Sequence, residues 1–244
     1  MNTAWIWTLL LAILLVSTVL FFLVQMRSYF HTEVLPWVQR SMDIKARKGQ
    51  QCRILRTEAD GPNTVEIVSP TCEDGLPHTV RPHTIRMTEA VWSSDRRDTI
   101  LVHERVHLQQ RQMPDEWKRF YAEHWGYTFP ETVPMEVMDR KDIRSNPDTS
   151  ENPFPVWQTR YWFVEVYDDP VTPSIRHSHV EIWDNQTQSW SRSLPQDWQR
   201  FFCGESCPHQ YEHPHELSAE YSTDSSWNCS AAITLREFQK RYRS

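Results

Sequence analysis

The sequence predicts an α+β fold: an N-terminal transmembrane helix followed by a single domain that holds an HExxH helix and a small antiparallel sheet. Three observations carry this expectation. Ala4 to Val24 make 21 residues without a charge, residues 103–107 read His-Glu-Arg-Val-His within a helical pattern, and two pairs of runs alternate in the manner of strands. A length of 244 residues suits one domain plus an anchor.

At about 1.5 Å per residue the uncharged run reaches about 30 Å, the thickness of a bilayer core. A cleaved signal peptide competes with this reading, yet no Lys or Arg precedes the run, the run is longer than a usual apolar region, and no small-residue cleavage site follows. Residues 1–25 are therefore expected as a transmembrane anchor, 26–50 as a stalk, and 51–244 as the domain. Arg27, Arg40 and Lys45 follow the span with no basic side chain before it, which on the positive-inside rule puts the domain in the cytosol. Cys52, Cys72, Cys203, Cys207 and Cys229, with glycosylation sequons at Asn185 and Asn228, point the other way. The balance leans to a lumenal or extracellular domain.

Within the domain, 53–57 and 64–69 read as strands joined by Asp-Gly-Pro-Asn, and Cys52 and Cys72 flank them, so a bridge at the foot of this hairpin is plausible. An odd cysteine count leaves at least one without an intramolecular partner. Asp95 is placed to cap a helix whose body contains the HExxH run and which Pro114 follows. A second helix starts at Pro114 and sets Trp117, Phe120 and Tyr121 at core spacing. Residues 130–156 are rich in Pro, Asp, Asn and Ser and predict a surface loop. Strands over 160–167 and 177–184 follow, then a cysteine-bearing loop, a helix beginning near His213, and a charged terminal helix. A net charge of −6 without a Lys/Arg cluster, and 12 Trp spread along the chain, leave no electrostatic footprint for nucleic acid.

His103 and His107 are four positions apart, so on a helix both imidazoles can face one metal ion. Glu104 lies about 100° round from His103, near enough to act on a water at that metal without binding the ion. Zinc lowers the pKa of such a water, and a carboxylate can take its proton as a carbonyl is attacked. A third ligand is needed, and the extended form with a third His is excluded because Gln110 and Met113 stand where Gly and His would be. Glu216 in His-Pro-His-Glu-Leu-Ser-Ala-Glu-Tyr is the favoured third ligand, with Glu220 one turn on to orient a ligand histidine and Ala219 allowing close helix approach. Glu123, His124, His213 and His215 are the rivals.

These motifs resemble the zincins, and among them the gluzincin branch, in which a Glu on a second helix completes the HExxH site. A closer likeness is to zinc-peptidase-like HExxH proteins of algae and large DNA viruses. They share the motif followed by Gln-Arg and an aromatic helix, an Arg-x-Asn-Pro-Asp loop, here Arg144 to Asp148, and a late His-Pro-x-Glu-x-x-Ala, here His213 to Ala219. The resemblance covers about residues 95–221 and implies a zincin-like domain with a Zn2+ site; it supplies no substrate. Arg144 and Asp148 can contact substrate or stabilise their loop. Two functions are expected: a membrane-anchored zinc metallopeptidase acting on a peptide or protein substrate, with Glu104 as general base, or an inactive zincin-like binding or structural protein. Tyr127, Tyr211, Tyr221, His209 and His213 are candidate transition-state donors. Catalysis within the bilayer is excluded by the charge over 95–115.

Overall fold

Residues 41–204 and 210–241 are described by a computed structural model, and the first of them already belong to the domain. In chain order the first elements are α1 (Ser41–Ala46), β1 (Ile54–Asp60), β2 (Asn63–Val68), β3 (His78–Arg81) and β4 (Thr84–Thr88). Next come α2 (Glu89–Trp92), α3 (Arg97–Gln112), α4 (Pro114–Phe120), β5 (Tyr127–Thr128) and α5 (Met135–Met138). The chain continues through β6 (Val156–Trp157), β7 (Tyr161–Tyr167), β8 (Ser178–Asp184), β9 (Ser189–Ser191), α6 (Gln196–Phe201), α7 (Pro214–Thr223) and α8 (Ser230–Lys240).

The expected fold class is corrected in two respects. No helix among the described residues is long and apolar enough to cross a membrane. The longest of them, α3, has 16 residues, about 24 Å of helix, and carries charge along its length. The run expected as an anchor, 4–24, lies outside the described residues, and single-pass membrane placement with a lumenal or extracellular domain is not supported. Secondly, there are two sheets, one of them mixed: a four-stranded sheet of order β1-β2-β4-β3 and a five-stranded antiparallel sheet of order β5-β6-β7-β8-β9. The compact unit begins at Arg40, so residues 41–50, expected as the end of a stalk, are part of it. Asp43 on α1 is buried, accepting from Tyr167 Oη at 2.7 Å and from the Ser145 backbone at 3.0 Å.

The mixed sheet follows from burial. All five residues of β4 are buried, which suits a central strand, and it lies parallel to β2 and antiparallel to β3. Gly61, at φ +58°, makes the predicted β1–β2 turn. One face of the sheet sets Val65, Ile67, Ile85 and Met87 against Leu101 and Leu108 of α3. On the other face Arg86 donates to Glu66 at 2.8 Å, its partner in the parallel register, so the charge is buried as a pair. The hydrophobic effect thus seats α3 on the sheet, and the opposite side of the helix is left to chemistry.

The predicted Cys52–Cys72 bridge is present, and a second joins Cys203 to Cys229. The helix from Pro114 closes in a π-type turn at Tyr121–Trp125 and stops at Gly126. Trp117, Phe120, Tyr121 and Trp125 enter the largest core cluster. Asp95 is not a cap: α3 starts at Arg97 without a side-chain cap. Residues 130–156 are not wholly irregular, since they contain α5 and a short 3-10 turn at Pro147–Thr149.

Candidate metal centre

Two helices build the centre. α3 supplies His103 and His107 from one face, and α7 packs against it to supply Glu216. Small residues permit this packing, since Ser218 and Ala219 are fully buried where α7 meets the core. His213 caps α7, its Nδ1 accepting from the His215 backbone at 3.1 Å while its Nε2 donates to the Asn152 carbonyl at 2.8 Å. Pro214 follows in the first turn, where its missing N–H costs no hydrogen bond.

The ligand atoms converge. His103 Nε2 and His107 Nε2 are 3.0 Å apart, and Glu216 Oε2 lies 3.2 Å from the first and 3.4 Å from the second. Bonds of about 2.0–2.2 Å to a tetrahedral ion give ligand–ligand separations of about 3.3–3.5 Å, so the triangle has nearly the right size.

The hydrogen bonds around the ligand atoms suit a cation there. Gln110 Nε2 donates to the His215 carbonyl at 3.1 Å and to Ser218 Oγ at 2.8 Å, which turns Gln110 Oε1 toward His107 Nδ1 at 2.8 Å. The His107 proton therefore sits on Nδ1 and a lone pair on Nε2. Glu220 Oε1, 3.5 Å from His103 Nδ1, favours the same tautomer there. Two imidazole lone pairs and a carboxylate oxygen then face one point, an arrangement that only a positive charge makes favourable.

Without a metal, the titration shifts show protons supplying the positive charge that the ligand atoms attract. Burial lowers the His107 imidazole, but Glu216 and Asp148 outweigh it and hold it at about 9. His103 is likewise desolvated yet raised well above its usual value by hydrogen bonds to Glu216 and Glu220. Burial pushes the Glu216 carboxyl up, and His107 and His103 override this to hold it well below the carboxylate range. Glu104 differs: burial lifts its carboxyl to about 8, Asp148 adds to the rise, and the two histidines oppose it.

His103, His107 and Glu216 are thus a buried group that could hold a metal ion. Glu104 is 3% exposed, has no hydrogen-bond partner at Oε2, and lines a cleft of about 420 Å³ together with His103 and Glu216. Of the rival ligands, His213 is the cap, His215 packs against Tyr121, and Glu123 and His124 are exposed on the π-type turn. The donor candidates are also spent elsewhere. Tyr127 accepts from Trp198 at 2.7 Å, Tyr221 donates to the Phe202 carbonyl at 3.1 Å, and Tyr211 packs on Trp198. His209 lies outside the described residues.

Two positioning residues escape a sequence reading. Asn146 Nδ2 donates to Glu216 Oε1 at 2.8 Å, and Gln110 fixes the His107 tautomer. The loop bearing Asn146 is pinned by Asp148, which accepts from the Thr79 backbone at 2.8 Å, and by Arg111, which donates to the Pro147 carbonyl at 2.7 Å. If the group holds a metal, replacing Asn146 or Gln110 by Leu is expected to weaken its binding by about 10–100-fold, measured by competition with a chromophoric chelator. Unchanged affinity in both variants would mean that the ligands hold their orientation unaided.

Compared with protein-family models, curated proteins and solved structures, the chain matches none of them. Its class is therefore defined by fold and site alone: an α+β domain whose HExxH helix and a second helix converge on a His/His/Glu group.

Proposed function

We propose that this protein is a gluzincin-like zinc metallopeptidase in which His103, His107 and Glu216 hold the metal and Glu104 is the general base. The observation that carries this reading is the buried, unpartnered Glu104 oxygen in the same cleft as the three converging ligand atoms. Two imidazole nitrogens and one carboxylate oxygen suit zinc, whereas Mg2+ and Ca2+ favour all-oxygen sites. Zinc held by this set would act as a Lewis acid toward water and a substrate carbonyl.

The residues divide the remaining work. Glu104 takes one proton from the attacking water as its oxygen joins the carbonyl carbon, then returns it to the amide nitrogen as the C–N bond breaks. Glu220 and Gln110 hold the two imidazoles by their Nδ1 atoms, and Asn146 keeps one Glu216 oxygen turned away so that the other faces the metal.

The test is hydrolysis of a randomised peptide mixture by the full chain carrying one zinc, read by mass spectrometry. Cleavage that a chelator suppresses and zinc restores is expected. A zinc-loaded, folded protein that cleaves nothing would leave a metal-binding scaffold, the alternative function, in its place.

A further inference from the structure

Asn146 Nδ2 holds one Glu216 oxygen at 2.8 Å, and its amide has one orientation because Oδ1 accepts from the Asp148 backbone at 2.9 Å. Whatever fixes Asn146 therefore also fixes Glu216. On its C-terminal side the Asn146 loop is tied to β3 by Asp148 and to α3 by Arg111. On its N-terminal side Arg144 is held on β7, its backbone N–H donating to the Glu165 carbonyl at 2.9 Å. Ser145 is the one residue between that anchor and Asn146.

All three polar atoms of Ser145 are bonded to the last turn of α1 and the residue after it. The Ser145 backbone N–H donates to the two Asp43 oxygens at 3.0 and 3.2 Å, and its hydroxyl donates to the same carboxylate. Its carbonyl accepts from Arg47 Nη2 at 2.8 Å. Arg47 Nη1 in turn donates to Asp43 at 2.7 Å, so the two side chains grip Ser145 as a unit.

The grip is buried and fully paired. Tyr167 Oη donates to Asp43 at 2.7 Å, and Arg47 forks onto Glu73 through Nε and Nη2, each at 2.9 Å. Glu73 and Asn146 both line the cleft, so Arg47 ties together two loops that border it. A buried network with every member paired holds one geometry, because breaking a pair strands a charge away from water.

We propose that Asp43 and Arg47 are positioning residues of the metal centre, acting through Ser145 on Asn146 and through Asn146 on Glu216. The proposal rests on the zinc-site part of the function given above and not on peptide cleavage. A loop loosened at Ser145 lets the Asn146 amide leave Glu216, and the carboxylate then spends part of its time turned away from the two imidazoles. Apparent metal affinity falls with the fraction of molecules that keep the ligand in place. The segment before the first strand thus sets how tightly the site holds its ion.

The full chain is titrated with Zn2+ against a chromophoric chelator as the parent, Asp43→Asn, Asn146→Leu and the double variant. Asp43→Asn keeps the size of the side chain and removes the charge that grips Ser145 and Arg47. It should lower zinc affinity by about 2–30-fold, the range for a residue coupled to a site through a network. That loss should vanish when residue 146 is already Leu, since the effect has lost its carrier. A merely structural α1 gives the same loss in both backgrounds or none in either, and each of those results overturns the proposal. Ser145→Ala, which removes only the hydroxyl, takes the place of Asp43→Asn on the same criterion if the latter does not fold. A parent that binds zinc without this coupling overturns the relay alone. A folded parent that binds no zinc overturns the zinc site and the relay together.

Discussion

On the function proposed above, Glu216→Ala is expected to abolish zinc binding. A partner that merely orients a ligand accounts for about 10–100-fold in affinity, so loss of a ligand should lower zinc affinity by more than about 100-fold. The consequence extends to stability. Metal bound at about 100 times its dissociation constant contributes about 2.7 kcal/mol of folding stability, which a chelator should remove from the parent and not from the variant. Without metal, the variant also leaves Asn146 Nδ2 without its acceptor and the two imidazoles without their counter-charge. Thermal melts with and without chelator, beside zinc titrations, measure this. A chelator-insensitive parent, or a variant that keeps the parent's affinity, would rule out the three-ligand site. Glu220→Ala is the internal contrast: half-exposed and 3.5 Å from His103, it should lose affinity without abolishing binding.

What the sequence made legible divides by range. The pairing of His103 with His107 is local, because helical periodicity alone puts positions four apart on one face. Glu216 lies 113 positions from His103, yet its spacing to Glu220, with small Ser218 and Ala219 between them, describes a helix that could face another closely. Asn146 gives no such signal. In Arg-Ser-Asn-Pro-Asp the charged residues draw notice, while the amide does the holding, and its partner is 70 positions away. Arg144 and Asp148 both reach the cleft, but Asp148 is spent on the Thr79 backbone. Strand order was illegible for a related reason. Alternation reports which residues a strand buries and not which strand it lies beside, so the parallel β2–β4 pair and the second sheet could not be read from the runs that form them. The attachment of α1 is equally illegible in sequence, because one buried carboxylate, Asp43, ties it to residues more than a hundred positions on.

Glu104→Gln is expected to separate metal binding from catalysis. The substitution keeps shape and removes only the ability to take a proton, so zinc content should stay at the parent level while turnover of peptides falls by about 100–10,000-fold. Stability should move the other way. Glu104 is buried with one oxygen unpartnered and Asp148 and Glu216 as like-charged neighbours, so the carboxylate costs folding energy that a neutral amide does not. The variant should therefore melt at or above the parent's temperature. That combination is informative because a scaffold would gain from losing this charge, and a hydrolase cannot spare it. Retained turnover in Glu104→Gln would remove the residue from the chemistry. A lowered melting temperature at unchanged turnover would mark the carboxylate as a structural part of the core instead.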